Sequence, residues 1–458
     1  MDMIQPLAKY VIDPLLALRE KSSHRFWLTF MSKAQFWSKD QLENWQLDRL
    51  KKILVHANEN CPFYTERFKT YGFDPNEFKT FDDLNNFPIL TKKEIQNNLE
   101  SLTARNYDKA QMYLNRTGGS TGSPLEFYVD SERLFSRKAA TLRHDRWAGV
   151  DIGDKVAVLW GARADFVGQP NFKTKLRAKL LDRRIFLDTS DINKAKMDDF
   201  IARLNSFKPK AYLAYANSLF LFARYLEEKQ IKLNSYPQTI ITSAELLEPV
   251  QRELIEKVFH APVFNRYGCR ETSVLASECS EHKGLHIAAE SLYVEFLDEK
   301  NIYKQKNGGE IIVTDLLNFG MPLIRYQIGD VGRRLDEPCP CGRVLPLMEI
   351  SGGRMTDFLV TAEGKVVSGA ALTIYFIANV KGIAQAQIIQ EQKEQIILKI
   401  VKGPEFSDKT NAEIGEKVAY FFGAAMKYQL EFVEKIPATA SGKYAFSISK
   451  LDPMEYLD

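Results

Sequence analysis

The sequence predicts an α/β protein, with a large multi-layer unit over residues 1–353 and a small α+β unit over residues 354–458. Three observations lead there. A chain of 458 residues exceeds what one core sustains and divides into two or three domains. Between Lys155 and Phe259, apolar strand-like runs alternate with helix-like runs, the pattern of a mostly parallel sheet. At Ser351-Gly352-Gly353-Arg354 that pattern breaks, and residues of a different texture follow.

The elements follow in order. Residues 1–110 read as mainly helical, and 111–353 as α/β. Met1 to Glu20 carries Pro6 and Pro14 and lacks both a basic n-region and a small-residue cleavage site. It reads as an amphipathic arm, not a signal peptide, with peripheral membrane contact ranked second. Thr91-Lys92-Lys93-Glu94 has capping-box spacing, so a helix is predicted to start there. Lys155–Gly161, Lys210–Tyr215 and Gln238–Thr242 are buried-strand candidates; Ser218–Glu228 and Glu248–Phe259 are helices. Ligands of such sheets sit beyond the carboxyl ends of the strands. Glu310–Asp330 reads as two strands joined by a turn. In the small unit Val418–Phe422 reads as helix, and Ile396–Val401 and Gln429–Ile436 as strands.

Composition narrows the function. With 62 basic and 59 acidic residues the net charge is +3, so no global pull toward nucleic acid exists. No apolar run approaches the roughly 18–20 residues of a transmembrane helix. Five cysteines, an odd number, argue against a disulfide framework and for a reducing, cytoplasmic setting.

Asn115 to Tyr128, NRTGGSTGSPLEFY, is the most chemically suggestive stretch. Glycines there permit a nest of backbone N–H groups, and Thr117, Ser120 and Thr121 add hydroxyls, a set suited to polyphosphate. It is not a Walker A loop, because no lysine closes it. A Ser/Gly-rich surface hairpin is the alternative.

Four further motifs accompany this loop: Arg266-Tyr267-Gly268-Cys269-Arg270-Glu271 after the strand Ala261–Asn265, Tyr326-Gln327-Ile328-Gly329-Asp330, Gly353-Arg354-Met355-Thr356-Asp357, and Ala440-Ser441-Gly442-Lys443. Cys61-Pro62-Phe63-Tyr64 and Pro88-Ile89-Leu90-Thr91-Lys92 stand near the start. In this order the motifs resemble the adenylate-forming (AMP-dependent) ligase superfamily, and within it the phenylacetate–CoA ligase and capsule-biosynthesis ligase branch. The resemblance covers nearly the whole chain.

The resemblance implies a large adenylation domain, a small mobile C-terminal domain and a two-step reaction. A carboxylic acid attacks the α-phosphate of ATP, with magnesium, giving acyl-AMP and pyrophosphate; a nucleophile then displaces AMP. By default that nucleophile is coenzyme A. A sugar amine or hydroxyl, as in polysaccharide biosynthesis, or a carrier-protein thiol is the alternative, and a non-catalytic relative is a further one. An unrelated zinc-bearing binding module fits the ordered motifs poorly.

By the same resemblance Thr117, Gly118, Gly119, Ser120, Thr121 and Gly122 would hold the β- and γ-phosphates. Glu271 would bind magnesium, a hard cation that prefers oxygen. Asp330 would accept hydrogen bonds from both ribose hydroxyls. Tyr267 and Gly268 would lie against adenine, Arg354 near ribose or phosphate, and Ser243, Ala244 and Glu245 along the adenine and acyl pockets. Trp160, Tyr215 and Asn217 would complete the acyl pocket. Lys443 would reach in from the small unit to neutralise charge on the α-phosphate. Ordinary roles stand beside these: Asp330 closing a turn, Glu271 capping a helix, Lys443 a solvated cation. Two departures from the family pattern matter. The phosphate loop lacks a lysine, and Arg270 stands where small residues are common, so Arg270 is read as a fixed cation beside the substrate carboxylate or α-phosphate, with a surface salt bridge as its alternative. The hinge falls on either Thr356 or Asp357.

Cys279-Ser280-Glu281-His282 and Cys339-Pro340-Cys341 supply three thiols and an imidazole, a closed tetrahedral set for structural zinc. His286 is the rival fourth ligand, or faces the active site. Neither the acid nor the oligomeric state follows from the sequence.

Overall fold

Eleven strands form the central sheet of the protein. The computed structural model describes residues 2–117, 125–161, 176–189, 192–297, 309–352, 354–356, 358–369, 372, 376, 380–437 and 444–456. A two-stranded hairpin, β1 (Tyr113–Arg116) and β2 (Glu126–Val129), precedes this sheet. The sheet contains β3 (Val156–Trp160), β4 (Arg184–Asp188), β5 (Ala211–Tyr215), β6 (Thr239–Ser243), β7 (Val263–Cys269), β8 (Ser273–Ser277), β9 (Leu285–Ile287), β10 (Leu292–Leu297), β11 (Gly309–Asp315), β12 (Tyr326–Leu335) and β13 (Leu347–Gly352). Their order is β10-β11-β12-β13-β9-β8-β7-β6-β5-β3-β4.

The half from β7 to β4 is parallel, as the strand–helix alternation predicts. Alternation along each strand divides its side chains between two cores. Ala157, Leu159, Tyr212, Ala214 and Ile240 pack under helices Lys194–Phe207, Ala216–Glu228 and Pro249–Phe259. Val156, Val158, Ala211 and Ile241 face Ala148 and Val150, where helix Ser131–Trp147 ends. The half from β10 to β8 is antiparallel.

Helices predominate over residues 2–110, and local chemistry sets their boundaries. Ser38 and Gln41 form a capping box at the start of helix Lys39–Asn60. Thr91 and Glu94 form the one read from the sequence, and helix Lys92–Asn97 starts there. Asp130 accepts the Arg133 N–H at 2.7 Å and so starts helix Ser131–Trp147 directly after β2.

After residue 353 a second sheet follows the order β14-β20-β17-β18-β19, with β14 (Arg354–Thr356), β17 (Ile383–Gln392), β18 (Gln395–Lys402), β19 (Lys427–Phe432) and β20 (Tyr444–Ser449). Helix Asp408–Phe422 packs on it through Ile414, Val418 and Phe422. The strand expected at Gln429–Ile436 ends at Phe432. A hairpin of β15 (Phe358–Val360) and β16 (Val366–Ser368) lies between the two sheets. Phe358 and Val366 enter the parallel-sheet core, while Leu359 and Val367 enter the core of the small sheet. Successive residues point to opposite faces, so one short hairpin joins both cores.

Candidate active site

Beyond Asn265, β7 leaves the parallel half of the sheet. Its last parallel register pairs are Ile240↔Val263, Ile241↔Phe264 and Thr242↔Asn265, so Tyr267 stands past the carboxyl end of β6. The chain then reverses through Arg270-Glu271-Thr272 into β8. A Cβ on Gly268 would lie 2.2 Å from the Ser273 carbonyl oxygen, so only glycine permits this close antiparallel approach.

That turn is held from below by arginines of helix Ser131–Trp147. Arg137 donates to the carbonyls of Arg270, at 3.3 Å, and of Glu271. Arg133 donates to Thr272 O at 3.0 Å and to Asp315 at 2.6 Å, with both charges buried. Burial and the adjacent Arg133 guanidinium pull Arg137 down to about 10, against the opposing pull of Asp315. The sequence did not mark Arg133 or Arg137. Their signal was the i, i+4 spacing of two arginines on one helical face, which ordinarily reads as a solvated stripe.

Two tyrosine–carboxylate contacts join the Arg266–Glu271 and Tyr326–Asp330 motifs. Tyr326 Oη donates to Glu271 Oε1 at 2.9 Å, and Tyr267 Oη donates to Asp330 Oδ2 at 2.8 Å. Each motif thus supplies one phenol and one carboxylate to the other. In sheet order three strands separate β7 from β12. In a flat sheet four strand steps would hold them roughly 19 Å apart, so the antiparallel half must curl to close these contacts. Burial, reinforced by the Asp330 carboxylate, raises the Tyr267 phenol well above its ordinary value, and Tyr267 stays a donor.

Asp330 lies within β12 and not at its end; it follows Gly329 (φ +90°) in a bulge where the register with β11 breaks between Gln327 and Val331. Glu271 is followed by strand β8, not by a helix it could cap.

Gly118, Gly119, Ser120, Thr121 and Gly122 lie outside the described residues, but both flanks of their loop are described. Thr117 closes its neck: its N–H donates to Leu125 O at 2.9 Å, and its Oγ1 accepts the Leu125 N–H at 3.0 Å. Arg270 Nη1 donates to Arg116 O at 3.3 Å, so its guanidinium reaches the base of that loop.

At the ends of β5 and β6, Tyr215 pairs with Ser243 in register. Ala244 turns the chain with φ +68°, a left-handed conformation that costs a residue with a Cβ about 1 kcal/mol. Glu245 Oε2 then accepts the Asn217 N–H at 2.8 Å. Trp160 lies over Tyr215 with ring centroids 4.2 Å apart.

Lys443 and Asp357 lie outside the described residues. Backbone register connects the strand of Asp330 to the start of β20. Val331 pairs with Gly352 across β12 and β13, and Arg354, two residues on, pairs with Tyr444, the residue after Lys443.

A second cluster corrects one expectation. Ligand atoms of Cys279, His286, Cys339 and Cys341 all lie within 4.8 Å of one another, so His286 and not His282 completes the group. His282 has turned away: Nδ1 lies 3.1 Å from Glu278, and its ring rests on Phe264 at 4.9 Å. Spacing alone favoured His282, because a C-x-x-H pair looks local, whereas His286 arrives through the pairing of β9 with β13 at Leu347. His286 Nδ1 donates to Leu345 O at 3.0 Å and leaves Nε2 toward Cys341 Sγ at 3.3 Å. Cys279 and Cys339 stand 3.6 Å apart, too far for the ~2.05 Å disulfide bond. That separation is close to the roughly 3.8 Å between thiolates on a tetrahedral zinc with ~2.3 Å bonds, so the donor set fits the metal.

The CapK C-terminal domain family matches residues 359–450. Protein CapK of Staphylococcus aureus is 28% identical over 413 residues, 89% of each chain. The phenylacetate–coenzyme A ligase of Pseudomonas putida is 25% identical over 331 residues, covering 70% of this chain and 73% of that one. In fold, the chain is similar to 2-hydroxyisobutyryl-CoA ligase in complex with 2-HIB-AMP and CoA, with a TM-score of 0.63 at 17% identity over 92% of each chain.

Proposed function

The chain belongs to the adenylate-forming ligase superfamily, in its CapK and phenylacetate–CoA ligase branch, and on that premise we propose that it activates a small carboxylic acid with ATP and passes the acyl group to coenzyme A. The phenylacetate–coenzyme A ligase relatives support an AMP-forming ligase activity. The observation that carries the siting of this chemistry is the crossed pair Tyr326–Glu271 and Tyr267–Asp330, which gathers two carboxylates beyond the ends of the parallel strands. Coenzyme A as acceptor rests on the phenylacetate–coenzyme A ligase relatives and on the fold of 2-hydroxyisobutyryl-CoA ligase.

In this reading Asp330 accepts the ribose hydroxyls with the carboxylate capacity that Tyr267 leaves open. Thr117 and residues 118–122 hold the terminal phosphates, and Arg270, anchored at Arg116 O, sets a cation beside them. The acid's carboxylate oxygen bonds to the α-phosphorus as the bond to the bridging oxygen breaks, and pyrophosphate leaves. Magnesium, when bound with the phosphates, would supply charge neutralisation, and Glu271 would be the carboxylate that holds it. Lys443, carried by the small unit from residue 354 onward, would offset charge as the acid attacks. The thiol of coenzyme A then bonds to the acyl carbon and AMP departs. Trp160, Tyr215 and Asn217 would line the acyl pocket, and Arg354 would lie near ribose or phosphate.

Pyrophosphate exchange into ATP across a panel of aliphatic and aryl carboxylic acids tests this directly. The expected result is exchange with a narrow set of acids, and release of AMP once coenzyme A is added. Silence across the whole panel would make the chain a non-catalytic relative.

Cys279, His286, Cys339 and Cys341 would hold a structural zinc that ties the β8–β9 loop to the β12–β13 loop. Elemental analysis of protein purified without chelator should give about one zinc per chain, the capacity of one such four-ligand set. His286→Ala should lose the metal and His282→Ala should keep it; the reverse outcome would restore the local C-x-x-H pair.

A further inference from the structure

The outward face of the N-terminal arm is inverted relative to an ordinary surface helix. Ile4–Arg19 is helical throughout, with a π-helical stretch at Ala8–Ile12. Every exposed residue from Met3 to Leu18 is apolar, with Pro6 among them. Met3 is 81% exposed and Leu18 77%, with Leu7, Tyr10, Val11 and Leu15 between them. Their spacing sets them on one side of a helix, where a surface helix normally carries its polar residues. The polar residues face inward instead. Gln5 donates to Ile152 O at 3.1 Å, Lys9 pairs with Asp151 at 2.8 Å, and buried Asp13 lies 3.1 Å from His24. Ala8 fits against Gly153, where a Cβ would come within 2.5 Å of it. The arm is therefore docked in one orientation, with its apolar side out.

We propose that this face seats the protein on an anionic membrane surface. Charge selects that occupant. The acids of the arm are engaged internally: Asp2 with Arg183, Asp13 with His24 and Arg25, Glu20 with Arg177. Among the described residues, Arg19, Lys21 and Lys33 form no ion pair and stay exposed at the end of the apolar face and on the next helix, where Phe26 is 65% exposed. A second copy of the arm would bring the same cations and no spare carboxylate. Anionic headgroups would meet the cations while the apolar side chains enter the headgroup–acyl boundary. No described helix is long and apolar enough to cross a membrane; the exposed apolar side of the arm suits contact within the interface. The inference is independent of the ligase chemistry.

Cosedimentation of the full chain with vesicles tests it. Protein should pellet with equimolar phosphatidylcholine and phosphatidylglycerol, and far less with phosphatidylcholine alone. Leu7→Ser/Leu18→Ser and Arg19→Glu/Lys21→Glu should each weaken binding about tenfold or more. Both pairs are exposed, so circular dichroism and melting temperature should be unchanged and exclude unfolding as the cause. Protein left in the supernatant with anionic vesicles would overturn the proposal. So would sedimentation velocity in which the wild type is a dimer and Leu7→Ser/Leu18→Ser a monomer.

Discussion

Asp330→Ala should lower ATP–pyrophosphate exchange about a hundredfold, with most of the loss in KM for ATP. The magnitude follows from two hydrogen bonds to a carboxylate, each worth about 1.5 kcal/mol or more, with about 1.4 kcal/mol per factor of ten. Ribose is remote from the phosphorus under attack, so its contacts hold ground state and transition state alike and their loss raises KM. Tyr267→Phe is the control. It removes the phenol that donates to Asp330 Oδ2 at 2.8 Å but leaves both carboxylate oxygens in place. Its effect should stay below about tenfold, the weight of one hydrogen bond. An unchanged KM in Asp330→Ala would exclude the ribose role. Equal losses in both variants would make Asp330 a positioning residue for Tyr267.

Arg133→Met should cost about 3–5 kcal/mol of folding stability, the usual penalty for leaving one member of a buried ion pair alone. Arg133 and Asp315 are each 1% exposed, and the next guanidinium, Arg137, is 3.9 Å from the same Asp315 oxygen. Urea unfolding with an unchanged m value measures the loss. Adding Asp315→Leu should recover only part of it, because Arg137, 3.9 Å from the same oxygen, then loses that partner. Recovery of stability without recovery of exchange activity would separate the two tasks of Arg133, since it also holds Thr272 O beneath the Glu271 turn. A cost under about 1 kcal/mol would contradict a desolvated pair.

Much of the fold was legible because it rests on periodic, local signals. The strand at 155–161 announces itself as an apolar run, those at 210–215 and 238–242 as apolar runs followed by amphipathic helices, and a mostly parallel sheet follows from that alternation. Thr91 and Glu94 marked a helix start because a capping box is complete within four residues. Glycines between two textures marked the boundary expected near residue 353, and β13 and β14 on either side of it belong to different sheets.

The candidate site was legible only in part. Glu271, Asp330 and Tyr267 were named from motifs, but their partners were not. Tyr326 is 55 residues from Glu271, and Tyr267 is 63 from Asp330. Arg133 reaches Thr272 across 139 residues. The same limit produced the His282 reading, where a neighbour in sequence was preferred to a neighbour in space. The N-terminal arm shows it too: amphipathicity was readable, but which side faces outward was not.

The sequence alone determined the class of the fold, the order of its motifs and the supply of phenols, carboxylates, thiols and cations. Only the tertiary structure decided which of these meet. Local propensity acts over a few residues, whereas the curl of the antiparallel half, the pairing of β9 with β13 and the docking of the arm against Gly153 are set by the packing of the whole chain.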